Sequence, residues 1–397
     1  MLKEQLGQEM LEEMRAKLEA MSFSATAWCF VHERLCFLDP RSDPNLRASR
    51  IIECAGPCCP PWCTFSSRND RWLSSATLPA LVWAYSTRYT RPDFIFHENA
   101  PGYDDGPIRA IFNDRHTSKR RRLGRHTPSQ ASLFSDPPDG FGEGRTGQRA
   151  DAYMCVQPPS LCPTMFGIPT RRKRKYTMWM LSLRWHLDLP PRACFLDTFE
   201  EMFRKSLVAT ADSYMCGTDA EVGSQLRSAM RLQGFDFDDD ALARCSGAMA
   251  LTPGEAVRCR EYEQFAQDRG LKVGDCWTVP VALINVTQRA TFIRCIDTET
   301  TPTLMRRTAL FDMVRSRMLL PMEYWAIQGY AAPGTTASSV VKTFPFAGLE
   351  SSLGDTRQLT GNGMHLSCIG SMLMFSFACC MRNASPGSHS SLQGMCT

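Results

Sequence analysis

Twice in its first hundred residues the chain runs through a short apolar segment that stops at a turn bearing reactive side chains. This alternation constrains the fold more than any other feature. Ile51-Ile52 leads into Ala55-Gly56-Pro57, the profile of a buried strand ending in a turn, and Asp93-Phe94-Ile95-Phe96 stops at Glu98-Asn99. Between them, Leu78 to Tyr85 has helix-like apolar spacing, and a third strand is expected over Tyr176 to Leu183, after the cationic run Arg171 to Lys175. Strands separated by helical or irregular connections predict an α/β fold with a parallel sheet, whose ligands gather at the carboxyl ends of the strands.

The 397 residues, 43% hydrophobic and 22% charged, suffice for one large domain or two modest ones, each with its own core. A formal charge of +4 is too small to mark the whole surface as a nucleic-acid partner, so any such face must come from local clusters of Lys and Arg. The 18 cysteines fall at irregular spacings and no leader-like segment opens the chain, which favours a reducing, intracellular setting. The most apolar late stretch, Leu366 to Cys380, is shorter than the ~20 residues of a bilayer-spanning helix, so no membrane segment is expected.

Along the chain, residues 1–48 open with an amphipathic helix over Met1 to Met21. Residues 49–184 form the α/β region, interrupted at 104–150 by a disordered insertion rich in Arg, Ser, Pro, Gly and Asp. Mixed periodicities over 185–307 predict a smaller second unit, with helices around Leu196 to Leu207 and Ala256 to Ala266 and strands around Trp277 to Val286 and Ala290 to Cys295. Residues 308–380 return to the first domain, and 381–397 form a disordered tail. Lys119-Arg120-Arg121-Arg122 in the insertion reads as a nuclear import signal, a phosphate contact or a plain solvated loop.

Three groups of residues carry chemistry. In Ala55-Gly56-Pro57-Cys58-Cys59-Pro60-Pro61-Trp62-Cys63, a cysteine held by prolines beyond a strand suits a nucleophile. The competing readings are a metal site made from Cys54, Cys58, Cys59 and Cys63, whose spacing lacks paired two-residue gaps, and a Pro-rich turn with chance thiols. In His97-Glu98-Asn99-Ala100-Pro101 the acid at a strand end is either a general acid or a solvated loop residue. The run Arg171 to Lys175 is either an electrostatic site or a solvated face.

Together these segments resemble the cytosine-C5 methyltransferase family. Its nucleophile motif Pro-Pro-Cys-Gln is matched by Pro57-Cys58-Cys59-Pro60, with Cys58 for the second Pro and Pro60 for Gln. Its Glu-Asn-Val is matched by Glu98-Asn99-Ala100, and its Gln-x-Arg-x-Arg after Gly-x-Pro by Gly167 to Arg174, with Thr170 for Gln. Arg317 to Glu323, running into Ile327-Gln328-Gly329-Tyr330, resembles the segment that supports the target-recognition region. The closing Gly-Asn-Ser is matched by Gly361-Asn362-Gly363.

The resemblance implies a Rossmann-like S-adenosylmethionine methyltransferase sheet, incomplete at its N-terminus, with the second unit reading the target. It implies that the Cys59 thiolate attacks C6 of a flipped cytosine while Glu98 assists at N3, with Arg172 and Arg174 steadying base and thiolate. Arg171, Lys173 and Lys175 would hold phosphates, and Pro57, Gly361, Asn362 and Gly363 would touch S-adenosylmethionine. The implied substrate is DNA in the nucleus, with RNA as the enzymatic alternative and a catalytically silent nucleic-acid-binding protein as the other. Before Ser49 the only glycine is Gly7, so nothing matches the family's Phe-x-Gly-x-Gly cofactor loop. This leaves a shortened sequence, completion by another chain, or loss of activity as the expected explanations. Phe346-Ala347-Gly348-Leu349 imitates that loop without a strand before it and is read as a decoy.

Overall fold

The computed structural model describes residues 26–29, 34–37, 50–56, 71–113, 153–157, 160–182, 184–188, 195–207, 209–235, 246–290, 296–330 and 353–382, with positions 9, 12–13 and 16–17 near the start. The chain divides into two compact units. The first comprises Met1–Ser160, Arg174–Phe195 and Met372–Thr397, and the second comprises Leu161–Lys173 and Leu196–Ser371. Most of the helix expected over Met1 to Met21, together with the basic run Lys119 to Arg122 and the segment Phe346 to Leu349, lies outside the described residues.

In the first unit a hairpin of β1 (Thr26–Cys29) and β2 (Arg34–Phe37) precedes β3 (Ile52–Ala55). Helix α1 (Leu78–Thr90) starts with a proline in its first turn, where a missing N–H costs nothing, and ends at Arg91 in the left-handed region (φ 47°), whose N–H closes on the Thr87 carbonyl. Ala80, Leu81, Ala84 and Tyr85 give it one buried stripe. Strand β4 (Phe94–Asn99) follows, then α2 (Gly106–Asn113), β5 (Tyr153–Val156), β6 (Lys175–Leu181) and β7 (Trp185–Leu187). β7 pairs with β13 (Cys380–Arg382).

The sheet order is β3-β4-β6-β5, with β3 and β4 parallel and β6 antiparallel to both of its neighbours. This corrects the expectation of a parallel sheet: the sheet is mixed. A strand stays parallel only when a crossover, usually a helix, returns the chain to the starting end. Among the described residues between β5 and β6 there is only the 3₁₀ turn Pro163–Met165, and the chain comes back reversed. Because β6 opposes both β4 and β5, those two and β3 run in one direction, and their carboxyl ends share one edge with the start of β6.

The expected insertion also begins too early. Ile108, Ile111 and Phe112, spaced for one helical face, are buried and make α2 part of the core with Ile95, Trp179, Tyr103 and α1. The rest of that segment, 114–150, lies outside the described residues.

The second unit holds α3 (Phe195–Phe203), α4 (Asp219–Leu232) and α5 (Pro253–Asp268). Helices α4 and α5 open with capping boxes, Thr218 with Glu221 and Thr252 with Glu255, that satisfy their first N–H groups. A hairpin of β8 (Lys272–Val273) and β9 (Cys276–Trp277) leads to the antiparallel sheet β10 (Leu283–Asn285), β11 (Leu310–Asp312) and β12 (Arg317–Met318). Strand alternation sends Leu283 and Leu310 into one apolar cluster with Tyr324 and Ile327, and Ile284 and Phe311 into another with Tyr262 and Leu251. Helix α6 (Pro321–Trp325) continues as a π-turn to Tyr330, and α7 (Leu353–Asn362) precedes α8 (Leu366–Cys379). Buried Glu323 accepts both terminal nitrogens of Arg317 at 2.8 and 2.7 Å and the N–H of Leu320 at 2.8 Å, so an internal charge pair fixes the start of α6. The second unit thus runs to Ser371, and the chain re-enters the first only at Met372 rather than near residue 308. No helix among the described residues is long and apolar enough to cross a membrane.

On the α1–α2 side of the first sheet, His97 is fully buried among Trp83, stacked at 5.3 Å, Tyr103 at 5.0 Å and Trp179 at 5.5 Å. Among the described residues neither ring nitrogen has a hydrogen-bond partner. Burial drives its pKa from 6.5 down to about 3, with Asp105 opposing and Lys175 reinforcing. The neutral ring therefore supports folding fully above pH 6.5. As pH falls from there toward 3 the unfolded chain binds the extra proton and the support is lost, at roughly 1 kcal/mol per pH unit. Buried His365, also pushed to about 3, adds the same trend in the second unit. Urea midpoints should drop between about pH 7.5 and about pH 5 and drop less in His97→Phe, whereas equal drops would remove His97 as a cause.

Candidate active site

Strand alternation puts Glu98 and His97 on opposite faces of β4. The register pairs Glu98 with Tyr176 and Asn99 with Lys175, so Glu98 sits at the carboxyl end of β4 where β6 begins. Its carboxylate is buried and meets the Nε of Arg174, itself largely buried, at 3.1 Å. Two charges out of water are tolerable only as a pair, and removing either leaves the other stranded. Strand β3 ends at Ala55, level with His97, and delivers the chain to Gly56 at this same edge. Pro57, Cys58, Cys59 and Cys63 lie outside the described residues. Cys54, on β3, has its thiol pKa pushed up by burial and by nearby Glu53. Among the described residues no group of three or more side chains is arranged to hold a metal ion.

The basic run divides by the same two-residue period. Its start is held extended because Thr170 bridges Thr301 in parallel fashion, with the Arg171 N–H donating to the Thr301 carbonyl at 2.9 Å. Arg171 and Lys173 are exposed, and Arg171 forms an ion pair with Asp297. Arg172 is buried and Arg174 engages Glu98. Lys175 departs from its expected role as a phosphate contact: its ammonium donates to Asp105 Oδ1 and to the Tyr103 carbonyl, each at 2.9 Å. Composition could not reveal this, since a lysine that starts a strand and one that faces solvent look alike in a basic run.

In the second unit Arg172 reaches three backbone carbonyls, those of Leu304 at 2.5 Å, Gly361 at 3.1 Å and Gly363 at 2.7 Å. Gln328 Nε2 donates to the same Gly363 carbonyl at 2.6 Å. Gly329, at φ 96°, lies so close to His365 that a Cβ would come within 2.9 Å of its ring. Three segments matched by separate motifs, around Arg172, Gln328 and Gly361, thus converge on one knot. Gln328 lies in a matched segment but is not expected from sequence to be a site residue, and His365, two residues after Gly363, is not expected either.

The predicted cofactor contacts in this knot do not form a cradle for S-adenosylmethionine. A Cβ on Gly361 would lie 2.3 Å from the backbone of Met305 and Arg306, so its bareness serves the chain's own packing. The Gly361 and Gly363 carbonyls are taken by Arg172, and Asn362 is exposed at the end of α7. Arg172→Lys keeps the charge but loses the planar fork, leaving carbonyls unmet; we expect a loss of about 2 kcal/mol or more in denaturant unfolding. Wild-type stability in that variant would show that the fork holds nothing.

No protein-family model matches the chain, and no curated protein matches it in sequence. Among solved structures, the Entamoeba histolytica methyltransferase EhMeth aligns at TM-score 0.38 and 12% identity over 86% of this chain and 80% of that one. A mutant of Spodoptera frugiperda DNMT2 aligns at 0.36 and 14% over 86% and 82%. The S. pombe Dnmt2 methyltransferase aligns at 0.35 and 13% over 82% and 77%. The chain is a mixed α/β protein with a distant structural similarity to these methyltransferases.

Proposed function

We propose that the chain activates a cytosine base of DNA for substitution at C5, as cytosine-C5 methyltransferases do, with Cys59 as nucleophile and Glu98 as the acid beside N3. The observation that carries this reading is the buried Glu98–Arg174 pair at the carboxyl edge of the sheet, level with the end of the strand that leads to Cys59. A cytosine C5 is a poor nucleophile until C6 is attacked. When the thiolate adds, the S–C6 bond forms, the π pair of C5–C6 becomes available at C5, and a proton passes from the Glu98 carboxyl to N3, leaving the carboxylate that Arg174 meets. Arg174 holds the carboxyl group in one orientation and compensates its charge. Exposed Lys173 suits a phosphate contact, and a phosphate at Arg171 would have to displace its Asp297 partner. The methyl donor implied by the family is S-adenosylmethionine, and since the described residues do not build its site, the reading concerns activation of the base.

Activation can be read without a methyl group. In deuterated water a deuteron adds at C5 of the adduct; loss of the original C5 proton and expulsion of the thiolate then return a deuterated cytosine. The full chain should exchange C5–H of cytosine in a DNA oligonucleotide, with exchange abolished in Cys59→Ser and lowered roughly 100-fold in Glu98→Gln. Persistent exchange in Cys59→Ser would remove that residue as nucleophile, and faster exchange in RNA would move the substrate to RNA. A folded wild type that binds DNA in a salt-sensitive way without exchange would overturn the enzymatic reading.

A further inference from the structure

Two consecutive residues where β6 begins, Arg174 just before the strand and Lys175 at its start, act on the end of β4 that carries the acid. Arg174 meets the Glu98 carboxylate on one face of the sheet. Lys175, the next residue, points to the other face and reaches the loop that leaves β4 immediately after Asn99. That loop has its own ties: the Tyr103 N–H donates to the Ala100 carbonyl at 2.9 Å, and the Trp72 indole donates to the Asp104 carbonyl at 2.9 Å. The Lys175 ammonium and Asp105 carboxylate are each about nine-tenths buried, so the pair is shielded from solvent and salt. Arg109 lies 3.9 Å from the other Asp105 oxygen.

From this geometry we infer that Lys175 is a positioning residue for Glu98, acting through Asp105 and the Tyr103 carbonyl to fix the strand end that carries the acid. The inference rests on the proposed activity. Loss of the ammonium frees the loop after Asn99, and the acid one residue earlier no longer sits in a single orientation. Reaction geometry is sensitive to such displacements, so turnover suffers more than binding.

The test compares Lys175→Met, Lys175→Arg, Asp105→Asn and the Lys175→Met/Asp105→Asn double variant in the C5-exchange assay on DNA. Lys175→Met and Asp105→Asn should each lower kcat roughly tenfold with KM within about twofold of wild type. The double variant should be no worse than the poorer single, because both remove one interaction. Lys175→Arg should recover part of the rate. A raised KM with unchanged kcat, and a salt slope lower by about one, would make Lys175 a phosphate contact and overturn the inference. Additive losses would overturn it as well.

Backbone deuterium uptake over residues 100–106 reads the clamp without the reaction. It should be faster in Lys175→Met and Asp105→Asn than in wild type, and unchanged uptake would show that Lys175 does not hold the loop. A wild type inert toward cytosine overturns the proposed activity and the positioning role together, while uptake still decides whether Lys175 anchors the loop.

Discussion

Between Arg172 and Lys175 three cations leave water within four residues of chain, and a buried cation that met no acceptor would cost several kilocalories per mole. Each is met differently. Arg172 spreads its fork over three carbonyls, Arg174 takes a carboxylate, and Lys175 takes a carboxylate and a carbonyl. The acceptors come from segments distant in sequence, so satisfying these charges fixes the turns around Leu304 and Gly361 in one unit and the end of β4 in the other.

The same strand separates reactivity from packing. On one face of β4, Glu98 is a charged group in a prepared partnership; on the other, His97 is a neutral ring within an aromatic box. An acid that must meet a base in one geometry gains from a strand whose opposite face is closely packed, because the backbone beneath it has little freedom. Trp83 extends this support by donating its indole N–H to Glu53 at 2.5 Å, tying α1 to β3.

Much of this architecture was legible locally. The strands before Gly56 and Glu98, the helix after Leu78 and the apolar run at Tyr176 each announce themselves through periodicity that depends on near neighbours in the chain. Strand direction did not, because it depends on the route between β5 and β6. The helix at Gly106 was hidden by averaging its few apolar residues with a long polar stretch. Glu98 and Arg174 could be singled out separately by their motifs, but their pairing depends on the register of β4 against β6.

The sequence by itself determined which side chains are available for chemistry, a proline-held cysteine, an acid at a strand end and alternating cations, and it determined the local periods that build the strands and helices around them. Only the tertiary structure decided what each cation does. Arg172, Arg174 and Lys175 carry the same charge in neighbouring positions, yet one knots the second unit, one holds the candidate acid and one anchors a loop. The reason is physical: charge and helix or strand propensity belong to the residue and its neighbours, whereas desolvation and partner choice belong to whatever segments packing brings against it.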